Sequence, residues 1–275
     1  MLLLLLPGCP PQKIEVAPRP DVMPTYRELA TGYNANLTDL HRLWSRAVVD
    51  FHWQDDDGRK HHERGDGHLI IALPDKLALT LGKAGIDFLW IGCNEKSYWF
   101  FNLQDEGKVY FGQHANVGRP GSRGLPGGIH PLMLPYLMGM VPIDAENDPP
   151  APAVEWVEGR FVIEPPNLGL RISLDGKTRV PVRIDLLDRA GQSLLVSRLA
   201  QYQVVRLEGK PSSQWPGLPN QVEIQTVGQY GKVALRLADM TDNSDRIKPR
   251  IFDFNVLLKI HKPAERIDLD ADVSP

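Results

Sequence analysis

The middle of the chain alternates short apolar runs with turn residues. Within residues 65–112 the apolar runs cover 68–73, 77–81, 88–93, 97–103 and 108–111. Gly, Asn, Asp and Pro separate these runs, which is typical of an antiparallel meander. Trp99, Phe100 and Phe101 are consecutive, so both faces of that strand are apolar, whereas an antiparallel sheet usually leaves one face to water. The pattern predicts a sheet covered on both sides, by a helix on one and by curvature around an apolar cavity on the other.

A helix is predicted to begin after Thr25. Thr25 and Glu28 have the spacing of a capping box, in which each side chain satisfies a backbone N–H group of the first turn. An apolar stripe with helical spacing follows, formed by Tyr26, Leu29, Tyr33, Leu37, Leu40 and Trp44. Gly32 and two asparagines weaken its middle, so the helix is expected to be bent or shorter than the stripe.

The pattern of strands continues through the second half of the chain. Residues 47–54 form a strand with Val49, Phe51 and Trp53 on one face, and a hairpin turn follows at 55–58. Further strand candidates are 154–157, 161–163, 168–174, 180–187, 194–207, 221–226 and 233–239, and 251–260 is another apolar run. So many twisted strands must curl or close. The predicted fold is mainly β (α+β): a curved antiparallel sheet forming an incomplete β-barrel of about eleven strands, with an N-terminal helix and a short apolar flap covering the concave side.

The predicted flap is the methionine-rich segment 130–141, HPLMLPYLMGMV, which follows a glycine-rich loop at 118–127. Pro135 and Gly139 exclude a long regular helix. Methionine is flexible and polarizable, and so suits contact with surfaces of varying shape. Two interpretations remain open: a flap over a cavity, or a core segment that fills one end of the barrel.

The N-terminus, MLLLLLPGCPP, resembles the end of a bacterial lipoprotein signal, in which the cysteine, here Cys9, becomes lipidated. A positive n-region is missing and the apolar stretch is short, so the signal would be truncated; an accidental leucine-rich N-terminus is the alternative. We divide the chain into a signal remnant (1–9), a proline-rich tether (10–24), a single domain (25–270) and a frayed tail (271–275). No other stretch approaches the ~20 apolar residues of a membrane span.

Charge and motifs narrow the classes of function. The net charge of −3 with mixed signs gives no indication of nucleic-acid binding. His52 is expected near His61 across the first hairpin, with His62 adjacent, but no third ligand completes a metal site, and an exposed hairpin tip is favoured. Cys93 is expected to be a small buried apolar residue. No nucleophile elbow, zinc motif or phosphate loop is present, so neither a cofactor nor an enzymatic activity is predicted.

Several stretches resemble the bacterial outer-membrane lipoprotein carrier and receptor family (LolA/LolB-like). They are the N-terminal helix, GHLIIALPDKL from Gly67, the aromatic hairpin 88–101, the apolar loop before a second block of strands, and Phe252-Asp-Phe leading to Ile267-Asp-Leu. The resemblance implies an incomplete barrel with a helical lid, enclosing a hydrophobic cavity for lipoprotein acyl chains, without metal, cofactor or catalytic residue. The chain is longer than the family pattern by the glycine-rich loop and the flap, and its lipidation motif is more like the receptor member.

Two functions follow as hypotheses. The first is a lipid-anchored protein facing the periplasm, at the outer membrane. It would bind an acyl chain, the lipid moiety of a lipoprotein or another hydrophobic ligand for lipid or lipoprotein transfer, with a periplasmic carrier as partner. The candidate ligand-lining residues are Trp53, Leu79, Trp90, Trp99, Phe101, Met133, Leu137, Met138 and Met140, each of which taken alone fits an ordinary core as well. The second is a structural or protein-interaction envelope lipoprotein whose barrel is filled by its own side chains.

Overall fold

Strands dominate the part of the chain that the computed structural model describes, residues 17–54, 57–104, 107–120, 122–123, 129–146, 152–228 and 231–273. The helices are α1 (Tyr26–Ala35), α2 (Met133–Leu137) and α3 (Phe254–His261). The first strands are β1 (Arg42–Gln54), β2 (Lys60–Ala72), β3 (Lys76–Lys83), β4 (Ile86–Cys93), β5 (Ser97–Asn102) and β6 (Lys108–Gln113). The others are β7 (Glu155–Val157), β8 (Arg160–Ile163), β9 (Leu170–Asp175), β10 (Pro181–Leu187), β11 (Ser193–Val204), β12 (Gly217–Thr226), β13 (Gly231–Thr241) and β14 (Glu265–Asp268). Cys9, the predicted signal remnant, part of the tether, half of the glycine-rich loop and the first two residues of the predicted turn at 55–58 lie outside these ranges.

All of these strands belong to one curved, unclosed sheet. Its order is β14-β6-β5-β4-β3-β2-β1-β13-β12-β11-β10-β9-β8-β7, antiparallel except for the parallel pair of β14 with β6. The pairing of β1 with β13 joins the two meanders. The predicted incomplete barrel is confirmed, with fourteen strands instead of about eleven. The short strand β14, which is not among the predicted strands, pairs with β6 at one edge of the sheet.

The predicted capping box begins α1. The Thr25 backbone N–H donates to Glu28 Oε2 at 2.7 Å, and the Glu28 N–H donates to Thr25 Oγ1 at 3.2 Å. The helix ends at Ala35, so it is shorter than the apolar stripe: Leu37 and Leu40 lie in the turns that follow, and Trp44 lies in β1. Its end is stabilised by Asn34, whose side chain donates to the carbonyl of Ile143 at 2.6 Å and accepts from the Ile143 N–H at 2.9 Å.

The apolar run 251–260 forms helical structure and covers the convex face of the sheet. A short 3₁₀ helix, Pro249–Phe252, precedes α3, and the Asp253 side chain accepts from the N–H groups of Asn255 and Val256. Leu257 of α3 is buried against outward-facing residues of β5 and β6. The sequence predicts that a helix covers one face of the sheet and that the other face curves around a cavity. This prediction is incomplete, because a helix covers the convex side.

The methionine-rich segment covers the concave face and also fills part of it. It contains the five-residue helix α2 and then turns at Gly139, which has a positive φ of 68°. Ser197 of β11 donates from its hydroxyl to the carbonyl of Leu137 at 2.7 Å, which anchors the segment to the inner wall. No helix within the described ranges has the length and apolar character needed to cross a bilayer.

Candidate ligand-binding groove

The concave side is closed at one end and open at the other. Side chains alternate along a strand, so every second residue of β1 faces inward. Leu43 and Val49 are fully buried, Phe51 is half-buried and Trp53 is 38% exposed. Helix α1, which precedes β1 by a short turn, covers the buried end together with the methionine-rich segment. The apolar inner face of the sheet therefore extends beyond the area that α1 and the methionine-rich segment cover.

At the open end this wall forms a groove of about 460 Å³. Its apolar lining is Phe51, Trp53, Phe88, Leu89, Ile91, Phe100, Tyr110, Ile129, Ile224 and Val233. A few polar residues, among them Glu63, Asn102, Gln104, Thr226 and Lys232, complete the lining. Pockets with mostly apolar and aromatic walls and few polar groups are typical sites for small apolar ligands.

A β-bulge turns Phe88 toward the groove. Leu81 pairs with Leu89 while Gly82 pairs with Asp87, so Phe88 is an extra residue in β4. Its ring packs over Gly65 of β2, where an added Cβ would lie 2.7 Å from the ring. A glycine is thus needed opposite the bulge. The wall of the groove depends on this close contact.

An ion pair stands beside the same ring. Lys83 of β3 pairs with Glu63 of β2, and the lysine Nζ lies 5.5 Å from the centroid of the Phe88 ring. This arrangement satisfies the Glu63 carboxylate, which is one of the polar groups lining the groove. Lys232, another charged side chain of the lining, pairs with Glu223 at 2.8 Å, so the lining offers little that would hold a charged group inside the groove.

The nine predicted ligand-lining residues are divided between both faces of the sheet. Trp53 alone of them lines the groove. Leu79 is buried in the inner wall, and Met133, Leu137, Met138 and Met140 belong to the methionine-rich segment at the closed end, where Leu137, Met138 and Met140 are fully buried. Trp90, Trp99 and Phe101 lie on the convex face and pack with α3. For these eight the placement corrects the expectation that they line one cavity.

The physical reason is the alternation of side chains in strands that are apolar on both faces. Phe100 lines the groove, whereas its neighbours Trp99 and Phe101 point to the convex side. Sequence reasoning missed Phe88, Ile91, Phe100, Tyr110 and Val233. The face of Trp53 follows from the sequence, and strand register relative to Trp53 would identify the other groove residues. Register across several hairpins, however, does not follow from composition.

The histidines of the first hairpin pair differently from the prediction. His52 stacks on His62 with ring centroids 4.3 Å apart, and Trp53 stacks on His61 at 5.2 Å. His62 Nε2 lies 3.2 Å from Asp50 Oδ1. In the described part of the chain no group of three or more His, Cys, Asp or Glu side chains is arranged to hold a metal ion.

A second histidine pair lies where the groove meets the methionine-rich segment. His114 Nε2–H donates to the Asn94 carbonyl at 2.7 Å, and His114 Nδ1 lies 3.4 Å from His130 Nε2. His130 Nδ1 accepts from the Leu132 N–H at 3.2 Å. Burial, and to a smaller extent His114, lowers the pKa of His130 from 6.5 to about 4. His130 immediately follows the groove residue Ile129, so it fixes the start of the segment.

The protein should lose stability as the pH falls from about 6.5 toward 4, because the unfolded chain binds a proton at His130 that the folded chain resists. The pKa shift corresponds to about 3 kcal/mol at full burial, and solvent access to the ring reduces this to about 2 kcal/mol. Urea unfolding of the wild type and of His130→Gln across this pH range measures the effect. A His130→Gln variant with the same pH dependence would show that another group is responsible.

The fold is similar to several solved structures. No protein-family model and no curated protein matches the sequence. A domain named for outer-membrane lipoprotein sorting from Vibrio parahaemolyticus is 13% identical, with a TM-score of 0.44, covering 84% of this chain and 97% of that one. A LolA superfamily protein from Nitrosomonas europaea is 11% identical, with a TM-score of 0.46 and coverages of 82% and 97%. A DUF1329 family protein from Desulfovibrio piger is 12% identical, with a TM-score of 0.42 and coverages of 84% and 97%. The chain is similar to each of these three solved structures at 11–13% identity.

Proposed function

We propose that the groove binds an acyl chain or another elongated hydrophobic ligand. The observation that carries the proposal is an apolar groove of about 460 Å³ at the open end of the half-barrel. Each methylene buried from water contributes about 0.8 kcal/mol, so ten methylenes would contribute about 8 kcal/mol before ordering costs. Shape and apolar contact would provide affinity without a catalytic or metal-binding group.

The proposal extends to a place in the cell envelope. A chain lipidated at Cys9 would be tethered to the outer membrane by the proline-rich segment and would face the periplasm. There it would take the lipid moiety of a lipoprotein, or a free lipid, from a periplasmic carrier. The run Leu2–Leu6, which is followed by Pro7, Gly8 and Cys9, supports this part of the proposal. Palmitate labelling of the full gene product, compared with that of a Cys9→Ala variant, tests this part of the proposal. Equal labelling of the two would rule out lipidation at Cys9.

Partly filling the groove should weaken ligand binding. Val233 faces the groove from β13, and the next residue, Ala234, faces the opposite side of the same strand. Val233→Trp would displace several methylenes of ligand, and three of them correspond to about 2.4 kcal/mol, or about 50-fold in affinity. Ala234→Trp should bind like the wild type. Titration with a fluorescent fatty acid measures both variants.

Equal affinities of the two variants would place the ligand elsewhere. No uptake by the wild type, with no lipid enriched in organic extracts of gently purified protein, would favour the alternative function, an envelope lipoprotein with a barrel filled by its own side chains. The buried methionine-rich segment at the closed end is the feature that favours that alternative.

Trp53 offers an independent signal, because ligand entering the groove should shift its fluorescence emission, and the shift should vanish in Trp53→Phe.

A further inference from the structure

Three cationic side chains surround a depression on the convex side, away from the groove. Lys259 of α3, Lys262 of the turn after it and Arg266 of β14 line this depression of about 510 Å³, together with Asn255, Leu258 and Pro263. All three cations are exposed. The whole chain carries a net charge of −3, so this local positive cluster runs against its overall balance.

None of the three cations forms an ion pair with a carboxylate among the described residues. The nearest acid in sequence is Glu265, and its carboxylate is engaged by Lys108 of β6 at 2.7 Å. A cation that is already paired with a carboxylate attracts an anionic ligand only weakly. Lys259, Lys262 and Arg266 have no such partner among the described residues, so their charge can attract an anion. The depression is therefore positive as well as concave.

An apolar side chain stands next to these cations. Ile260 follows Lys259 in α3 and is 59% exposed, whereas Leu257, about one turn earlier, is fully buried. A single exposed isoleucine needs no explanation at an ordinary surface. Beside three cations that pair with no carboxylate in the described part of the chain, however, it completes the pattern of an interfacial helix, which places apolar side chains among lipids and cations among phosphates.

Packing and capping position the backbone that carries these groups. Phe254, the first residue of α3, stacks on Trp99 of the sheet at 5.5 Å, and Asp253 caps the helix. Lys262 ends the helix in the left-handed conformation, with φ of 44°, and its N–H donates to the Leu258 carbonyl at 3.0 Å. The chain thereby turns back along the sheet edge into β14, which brings Arg266 beside the two lysines.

We propose that this surface docks on an anionic phospholipid membrane. Lysine and arginine near an anionic surface each contribute about 1 kcal/mol, or about fivefold in affinity, and Ile260 would enter the boundary between headgroups and acyl chains. The inference goes beyond the proposed ligand binding. It concerns the opposite face of the sheet, so docking would leave the groove accessible to its ligand.

Vesicle co-sedimentation of the full chain carrying Cys9→Ala, so that no acyl group contributes, tests the proposal. Phosphatidylcholine vesicles with and without phosphatidylglycerol are compared. The triple variant Lys259→Gln, Lys262→Gln and Arg266→Gln should bind the anionic vesicles about 100-fold more weakly. A matched triple variant removes the same charge from exposed positions elsewhere: Lys177→Gln, Arg189→Gln and Arg236→Gln. It should bind as the parent chain does.

Further measurements separate apolar from charged contacts and distinguish a lipid headgroup from a free phosphate compound. Ile260→Ser should weaken binding about fivefold without changing its salt dependence, because it removes apolar contact only. Equal losses in the two triple variants, or no preference for anionic vesicles, would overturn the proposal. Saturable competition by glycerol phosphate at constant ionic strength would also overturn it, because the ligand would then be a free phosphate compound. Val233→Trp should leave vesicle binding unchanged, so failure of the groove and failure of the docking surface are distinguishable.

Discussion

Gly67→Ala is expected to destabilise the protein by at least about 3 kcal/mol. Gly67 lies in β2 and pairs with Leu81 of β3. A Cβ at this position would lie 1.9 Å from the carbonyl oxygen of Thr80 and 2.7 Å from its carbonyl carbon. These are backbone atoms of β3, which also pairs with β4, so relief requires a shift of the sheet. Urea unfolding followed by circular dichroism measures the loss.

The same substitution elsewhere provides the control. Gly32 lies in α1, is exposed, and has nothing within 4 Å of an added Cβ. Gly32→Ala should stabilise the protein by about 0.5–1 kcal/mol, because alanine loses less backbone entropy in a helix. A loss below about 1 kcal/mol for Gly67→Ala would mean that β2 and β3 can separate at little cost, contrary to the structure.

Trp99→Ala is expected to cost about 4 kcal/mol, within the usual range for truncating a buried tryptophan. Trp99 is fully buried on the convex face between Gly92 of β4 and Phe254 of α3. Its removal leaves a cavity beneath α3, which carries Lys259 and Ile260. We therefore expect faster amide hydrogen exchange in α3 and weaker vesicle binding, with ligand binding in the groove retained in the folded fraction.

Two variants separate packing from other effects. The indole N–H of Trp99 is buried without a hydrogen-bond partner among the described residues, so Trp99→Phe keeps most of the packing and removes an unsatisfied donor. Its cost should stay below about 1.5 kcal/mol. Trp53→Ala should change stability by less than about 1 kcal/mol, because that side chain is 38% exposed at the groove. Equal costs at Trp53 and Trp99 would contradict the assignment of the two faces.

Local signals predicted individual elements well. The capping box at Thr25 and Glu28 depends on neighbours three residues apart, and it forms as expected. The strands of the meander were recognisable because their turns contain Gly, Asn, Asp and Pro. The run 251–260 was harder, because a short apolar segment fits a strand or a helix; the Asp253 cap and the packing of Leu257 on the convex face stabilise it as α3.

The candidate site was predicted in kind but not in residues. Consecutive apolar residues indicated that both faces of the sheet were covered, and they did not show which face enclosed space. Trp99 and Phe100 are adjacent aromatic residues, yet Trp99 packs under α3 and Phe100 lines the groove. The bulge at Phe88 also reverses the facing of one aromatic, and it is visible only in the pairing of β3 with β4.

Sequence by itself determined that this protein is a strongly curved, mostly antiparallel sheet with an N-terminal helix, because periodicity, turn residues and caps act over a few positions. Tertiary structure alone decided which apolar face is concave, where α1 and the methionine-rich segment stop filling it, and which cations gather around α3. Those outcomes depend on register and packing between residues far apart in the chain, and burial favours any apolar side chain without specifying its neighbour.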